Sequence, residues 1–122
     1  MKKGSSALST NTKHAGTHLI IEFWGGKIIE SASEIKRILL ETAKESNNTP
    51  VGVKIHKFNP HGLTGFVLLA ESHISIHTWP ELDYVAIDIF SCGKNSQPYK
   101  GLDYLKKEFQ PRKVKFREIK RG

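Results

Sequence analysis

Only one cysteine, Cys92, stands among the 122 residues. That excludes an intramolecular disulfide and a cysteine-built structural zinc, and it fits a reducing cytoplasm, the location expected here. A lone cysteine reads most plainly as a small buried apolar side chain. Long apolar runs are missing too: none approaches the ~20 residues of a membrane helix, so no membrane partner is expected. The opening MKKGSSALSTNTKHAG is basic at its start but has no continuous apolar segment, which argues against a secretory signal. It reads as a flexible Ser/Thr-rich tail over residues 1–16, leaving residues 17–122 as a single domain. Acidic residues are scarce, 12 against 19 basic, for a net charge of +7. Such an excess raises the question of nucleic acid. Much of it, however, falls in RKVKFREI, where Lys113, Lys115 and Arg117 alternate with Val114 and Phe116. That is the solvated face of an edge strand, where lysines discourage unwanted pairing. With no RNA-binding motif beside it, no nucleic-acid partner is expected.

What is present is a set of short periodic segments. THLIIEFW alternates Leu19, Ile21 and Phe23 against His18, Ile20, Glu22 and Trp24, a strand broken by Gly25 and Gly26. SASEIKRILLETAKES opens on a capping box, Ser31 with Glu34, and carries Ile35, Ile38, Leu39 and Thr42 on one helical face. VGVKIHKF is a strand with Val51, Val53 and Ile55 inward. The turn-rich NPHGLTG joins it to FVLLA as a hairpin. AESHISIHTWPE follows, readable as a continuation of that strand, and Pro80 turns the chain into YVAIDIFSC. SQPYKGLDYLKKEF is a second amphipathic helix with Tyr99, Leu102, Leu105 and Phe109 on one side, and RKVKFREI is the last strand.

The order β-α-β-β-β-β-α-β predicts an α+β fold, a two-layer sandwich of one mainly antiparallel sheet with both helices on one face. The other face would display His18, Glu22, Trp24, His56, Phe58, His73, His77, Trp79, Asp88, Phe90 and Cys92. That mixture is too apolar for water and too polar for a dry core. It suits a subunit interface that also holds a site.

Within AESHISIHTWPE, three explanations compete for Glu71, Ser72, His73 and His77, with Cys92 downstream. They can be satisfied polar residues on a half-exposed strand. They can bind a metal, but His73 and His77 lie about 13 Å apart along a strand, too far for one ion even with Glu81 near, and no metal is expected. Or Ser72 can attack the carbonyl before it, turning an amide into an ester that eliminates once a base removes the α-proton. Dehydroalanine then hydrolyses to a pyruvoyl group and ammonia, and histidine is the natural base. The residue types alone leave all three open.

ESHISIHTWPE followed by AIDIFSCG resembles the prokaryotic S-adenosylmethionine decarboxylases, pyruvoyl-dependent enzymes that supply the aminopropyl donor for spermidine synthesis. The resemblance extends from GTHLIIEFWG through KFNPHGLTG to the last helix. It implies cleavage between Glu71 and Ser72 into a β chain, 1–71, and an α chain, 72–122. Ser72 would become the covalent pyruvoyl cofactor and form the Schiff base with substrate. His77 would be the proton acceptor in processing and Cys92 the proton donor in decarboxylation. Phe58 and Trp79 would stack on the nucleoside, Glu81 would hold the ribose, and Glu22 would lie near the amino-acid end of S-adenosylmethionine. Thr64 stands where relatives have a processing serine; it keeps the hydroxyl and adds a methyl group.

Arginine decarboxylation on the same architecture is the nearest alternative, although a guanidinium calls for additional carboxylates rather than an aromatic slot. A non-catalytic basic RNA-binding module is the reading from another class. Ser72 and His77 are five residues apart, an odd offset that points their side chains to opposite faces of a regular strand. Either the strand breaks at the cleavage point or the base arrives from a second subunit, in a homodimer layered αββα.

Overall fold

The computed structural model describes residues 14–122. Most of the tail expected over residues 1–16 lies outside the described residues, and Gly16 already belongs to the first strand. The elements run β1 (Gly16–Trp24), α1 (Ala32–Glu45), β2 (Pro50–Lys57), β3 (Leu63–Leu69), β4 (His73–Trp79), a 3₁₀ turn (Pro80–Leu82), β5 (Tyr84–Ser91), α2 (Pro98–Phe109) and β6 (Lys113–Arg121). The six strands form one antiparallel sheet in the order β2-β3-β4-β5-β1-β6. This is the expected α+β sandwich, with basic β6 at one edge.

Strand alternation builds the core. Leu19, Ile21 and Phe23 of β1, Ile74 and Ile76 of β4, and Ile87 and Ile89 of β5 all point to one face. There they meet Ile35, Ile38 and Leu39 of α1 and Leu102, Leu105 and Phe109 of α2. Truncating a buried isoleucine such as Ile74 to alanine costs about 2–5 kcal/mol, through lost burial and the cavity left behind. Thr42 is also buried on α1, its hydroxyl satisfied by the Ile38 carbonyl at 2.7 Å. Ser31 caps α1 by accepting the Glu34 N–H at 3.2 Å, whereas the Glu34 carboxylate pairs with Arg37 rather than completing a box.

Three expectations need correction. Val51 is 63% exposed because the β2–β3 register slips between Pro50 and Gly52, which turns it out of the inward series. Tyr99 is not a core residue: it lies at the start of α2, exposed, against Phe116 of β6. And residues 70–79 do not prolong β3. The chain reverses at Ala70 and Glu71, and β4 runs back antiparallel to β3.

Candidate active site

That reversal places the Glu71–Ser72 bond in a tight turn. The Leu69 N–H donates to the Ser72 carbonyl at 2.9 Å, and the Ser72 N–H returns to the Leu69 carbonyl at 3.4 Å, leaving a two-residue loop. Ser72 is 8% exposed, and its Oγ accepts the Cys92 backbone N–H at 3.0 Å. Cys92 follows the last residue of β5 and precedes Gly93, whose φ of +95° favours glycine and bends the chain past Glu71. The loop after Cys92 is tied to the end of α1: Asn47 donates to the Asn95 carbonyl at 2.9 Å, and the Gln97 N–H donates to the Ser46 carbonyl at 2.8 Å. Glu71, Cys92, Asn48 and Ser96 thus share an open recess of about 230 Å³.

A second recess, of about 270 Å³, opens at the far end of β4 and gathers Phe58, Thr64, His77, Trp79 and Glu81. Register explains the grouping. Thr64 of β3 pairs with His77 of β4, and Thr64 Oγ1 lies 3.1 Å from His77 Nδ1. The His77 and Trp79 rings sit 5.8 Å apart. On the other side of His77, Ala86 contributes almost no side chain, and Glu22 flanks it on β1. Tyr84 donates to Glu22 at 2.8 Å; burial, then this carboxylate, push the Tyr84 hydroxyl pKa up to about 12. Glu22, His77, Tyr84 and Arg117 border a shallow hollow over Ala86.

Between the two ends lies a polar network on the same face. His18 Nε2 is 2.6 Å and His73 Nε2 3.2 Å from the same Asp88 oxygen, while Ser75 donates to the other. Burial pushes the Asp88 carboxyl up, but hydrogen bonds from Ser75, His18 and His73 outweigh it and hold the pKa below the ordinary value. His18, His73 and Asp88 have the spacing of a metal cluster. The surroundings favour a hydrogen-bond relay instead. The Asp88 carboxylate is already engaged by Ser75 and both histidines, and Arg121 Nη1 lies 3.4 Å from His18 Nδ1, which sets a cation beside the cluster.

The expected site residues therefore fall into two groups. Glu71, Ser72 and Cys92 meet at one end of β4; Phe58, Thr64, His77, Trp79 and Glu81 meet at the other, with Glu22 adjoining. Five residues of strand put Ser72 and His77 about 16 Å apart within one chain.

A family profile described as S-adenosylmethionine decarboxylase matches residues 17–122. The chain belongs to the S-adenosylmethionine decarboxylase family. It is 42% identical over 112 residues to an S-adenosylmethionine decarboxylase proenzyme of Methanococcus maripaludis strain C7, covering 90% of this chain and 92% of that one. A proenzyme of the same name from Pyrococcus horikoshii is 43% identical over 109 residues, covering 88% and 78%. The crystal structure of the adenosylmethionine decarboxylase from Aquifex aeolicus superposes with a TM-score of 0.84 at 34% identity, covering 91% of this chain and 93% of that one.

Within this member of the S-adenosylmethionine decarboxylase family, sequence reasoning missed two contributors. Gly16 leaves room for the thiol: a Cβ there would stand 3.0 Å from Cys92 Sγ and 2.8 Å from the Phe90 ring. Its only signal was a glycine opening a strand. His61, in the turn before β3, lies 3.1 Å from Glu81 and lines the second recess. Turn residues mask such a role, because NPHG reads simply as a loop.

Proposed function

We propose that this chain cuts its own Glu71–Ser72 bond, converts Ser72 into a pyruvoyl group and decarboxylates S-adenosylmethionine with it. The observation that carries the reading is the buried Ser72 hydroxyl, held in a tight turn against the Cys92 N–H. Family membership and the named relatives support S-adenosylmethionine rather than arginine as substrate.

In processing, Ser72 Oγ bonds to the Glu71 carbonyl carbon, the peptide C–N bond breaks, and the hydroxyl proton passes to the freed amine. The Cys92 N–H stabilises negative charge on Oγ as its proton leaves. A base then takes the Ser72 α-proton, the Cβ–Oγ bond breaks, and Glu71 departs as a carboxylate. Water adds to the remaining enamine and ammonia leaves, so residues 1–71 become the β chain and residues 72–122 the α chain.

The pyruvoyl group supplies the electrophilic carbonyl that ordinary side chains lack and draws off the electrons released with carbon dioxide. Cys92, whose backbone touches Ser72, delivers the proton to the substrate carbon. Phe58 and Trp79 present aromatic faces to adenine, each adding about 1 kcal/mol beyond its buried area. Glu81 accepts from the ribose hydroxyls, and Glu22 holds the amino-acid end.

His77 is too far from Ser72 in its own chain, so the base comes from a second copy. Phe58, Phe66, Leu68, Trp79 and Ile119 leave an exposed apolar patch on the sheet face away from the helices. A two-fold axis near the middle of β4 sets the Ser72 end of one protomer opposite the partner's His77 end, giving two equivalent sites in an αββα dimer. Among the described residues no helix is long and apolar enough to cross a membrane; a cytoplasmic location completes the proposal, supported by the single cysteine. The test combines intact mass with labelled carbon dioxide release. Wild type should be two chains and release label from S-adenosylmethionine but not arginine, and Ser72→Ala should stay whole and inactive. Turnover by an uncut wild-type chain would overturn the pyruvoyl reading.

A further inference from the structure

The second recess has two lips. One is the turn from Phe58 to Gly62, closed by the Phe58 N–H on the Gly62 carbonyl at 2.9 Å; Gly62 has a φ of +98° and lies close to the Thr78 carbonyl. The other is the 3₁₀ turn that carries Glu81. Its far end is anchored away from the recess, with Asp83 bound by Arg112 at 2.8 Å and by the Gly25 N–H at 3.0 Å. At the recess side, His61 Nε2 reaches across to Glu81 Oε1 at 3.1 Å.

We propose that His61 is a positioning residue that clasps the two lips and orients the Glu81 carboxylate for a ligand with ribose hydroxyls beside a flat base. The proposal rests on the nucleoside reading of this recess given above. The pair is 40% and 44% exposed, and a polar contact that open adds little to folding stability. Its effect is geometric. With Oε1 engaged by the imidazole, Oε2 is left free to accept from a hydroxyl, and the lip carrying Phe58 is tied to the lip that follows Trp79. A carboxylate without this tie samples other rotamers, and the ordering cost falls on binding rather than on the chemical step.

Steady-state kinetics with S-adenosylmethionine test this on fully cleaved protein. His61→Ala should raise KM about three- to tenfold, the scale of one oriented hydrogen bond, with kcat, cleavage and melting temperature retained. His61→Gln, which can still donate to Glu81, should recover most of the loss. Glu81→Gln should raise KM, and the double variant with His61→Ala should be no worse than Glu81→Gln alone. A raised KM in Glu81→Gln with wild-type KM in His61→Ala overturns the clasp and leaves the nucleoside reading intact. An unchanged KM in Glu81→Gln also overturns the clasp, because the carboxylate that His61 would orient then contributes nothing to binding, while the aromatic faces of Phe58 and Trp79 still carry the nucleoside reading.

Discussion

Thr64 Oγ1 faces His77 Nδ1 at 3.1 Å across the β3–β4 pair. For His77 to take a proton on Nε2, Nδ1 must hold the ring's hydrogen, and Thr64 is placed to accept it. Thr64→Val keeps the shape and removes the acceptor. It should slow self-cleavage about tenfold, roughly the worth of one hydrogen bond, whereas Thr64→Ser should cleave at least as fast as wild type. A time course by intact mass reads both; wild-type kinetics in Thr64→Val would detach Thr64 from processing.

Cys92 touches Ser72 through its backbone, not its thiol. Cys92→Ala should therefore still cut itself into two chains while decarboxylating poorly. Protonation at the wrong carbon would release an aldehyde and leave alanine in place of pyruvoyl at position 72, detectable as a mass change in the α chain during turnover. Equal kcat in the variant and wild type would return Cys92 to a packing role.

The separation of Ser72 and His77 predicts complementation. Chains carrying Ser72→Ala and chains carrying His77→Ala should each remain uncut when made alone. Co-expressed, some His77→Ala chains should be cleaved by the partner's His77. A folded, active monomer by light scattering at the working concentration would remove the shared-site arrangement.

Asp88 predicts a pH dependence of stability. Its folded pKa is lowered, because hydrogen bonds from Ser75, His18 and His73 outweigh burial. The stabilisation is present above the unfolded carboxylate value, near 3.9, and is lost as pH falls through the folded value. Asp88→Asn should cost about 1–3 kcal/mol at pH 7, and the gap to wild type should close in acid as the wild-type carboxyl takes its proton. Urea midpoints at fixed protein concentration, from pH 7 downward, measure it; identical midpoints at pH 7 would make the network energetically idle.

Two-residue alternation in HISIHTW by itself assigned Ile74 and Ile76 to the core and His73, Ser75 and His77 to the other face, because a strand has only two faces and water rejects one of them. Capping and amphipathic spacing likewise placed α1, where Ser31 and the Ile35–Ile38–Leu39 face depend on neighbours within a few residues. Tyr99 and Val51 escaped such reasoning, since a helix end and a slipped register break the period locally. A family motif singled out Ser72 and Cys92 in the sequence, but not their contact: twenty residues separate them, and only the β4–β5 pairing with the Gly93 bend brings that N–H to that hydroxyl. The same holds for His18 with Asp88, 70 residues apart, and for His61 with Glu81, which meet where two loops of adjacent hairpins converge. Local pattern decides which face a side chain takes, because that depends on the chain's own period. Which distant side chain it meets there depends on strand order and register, and these are decided only when the whole sheet closes over one core.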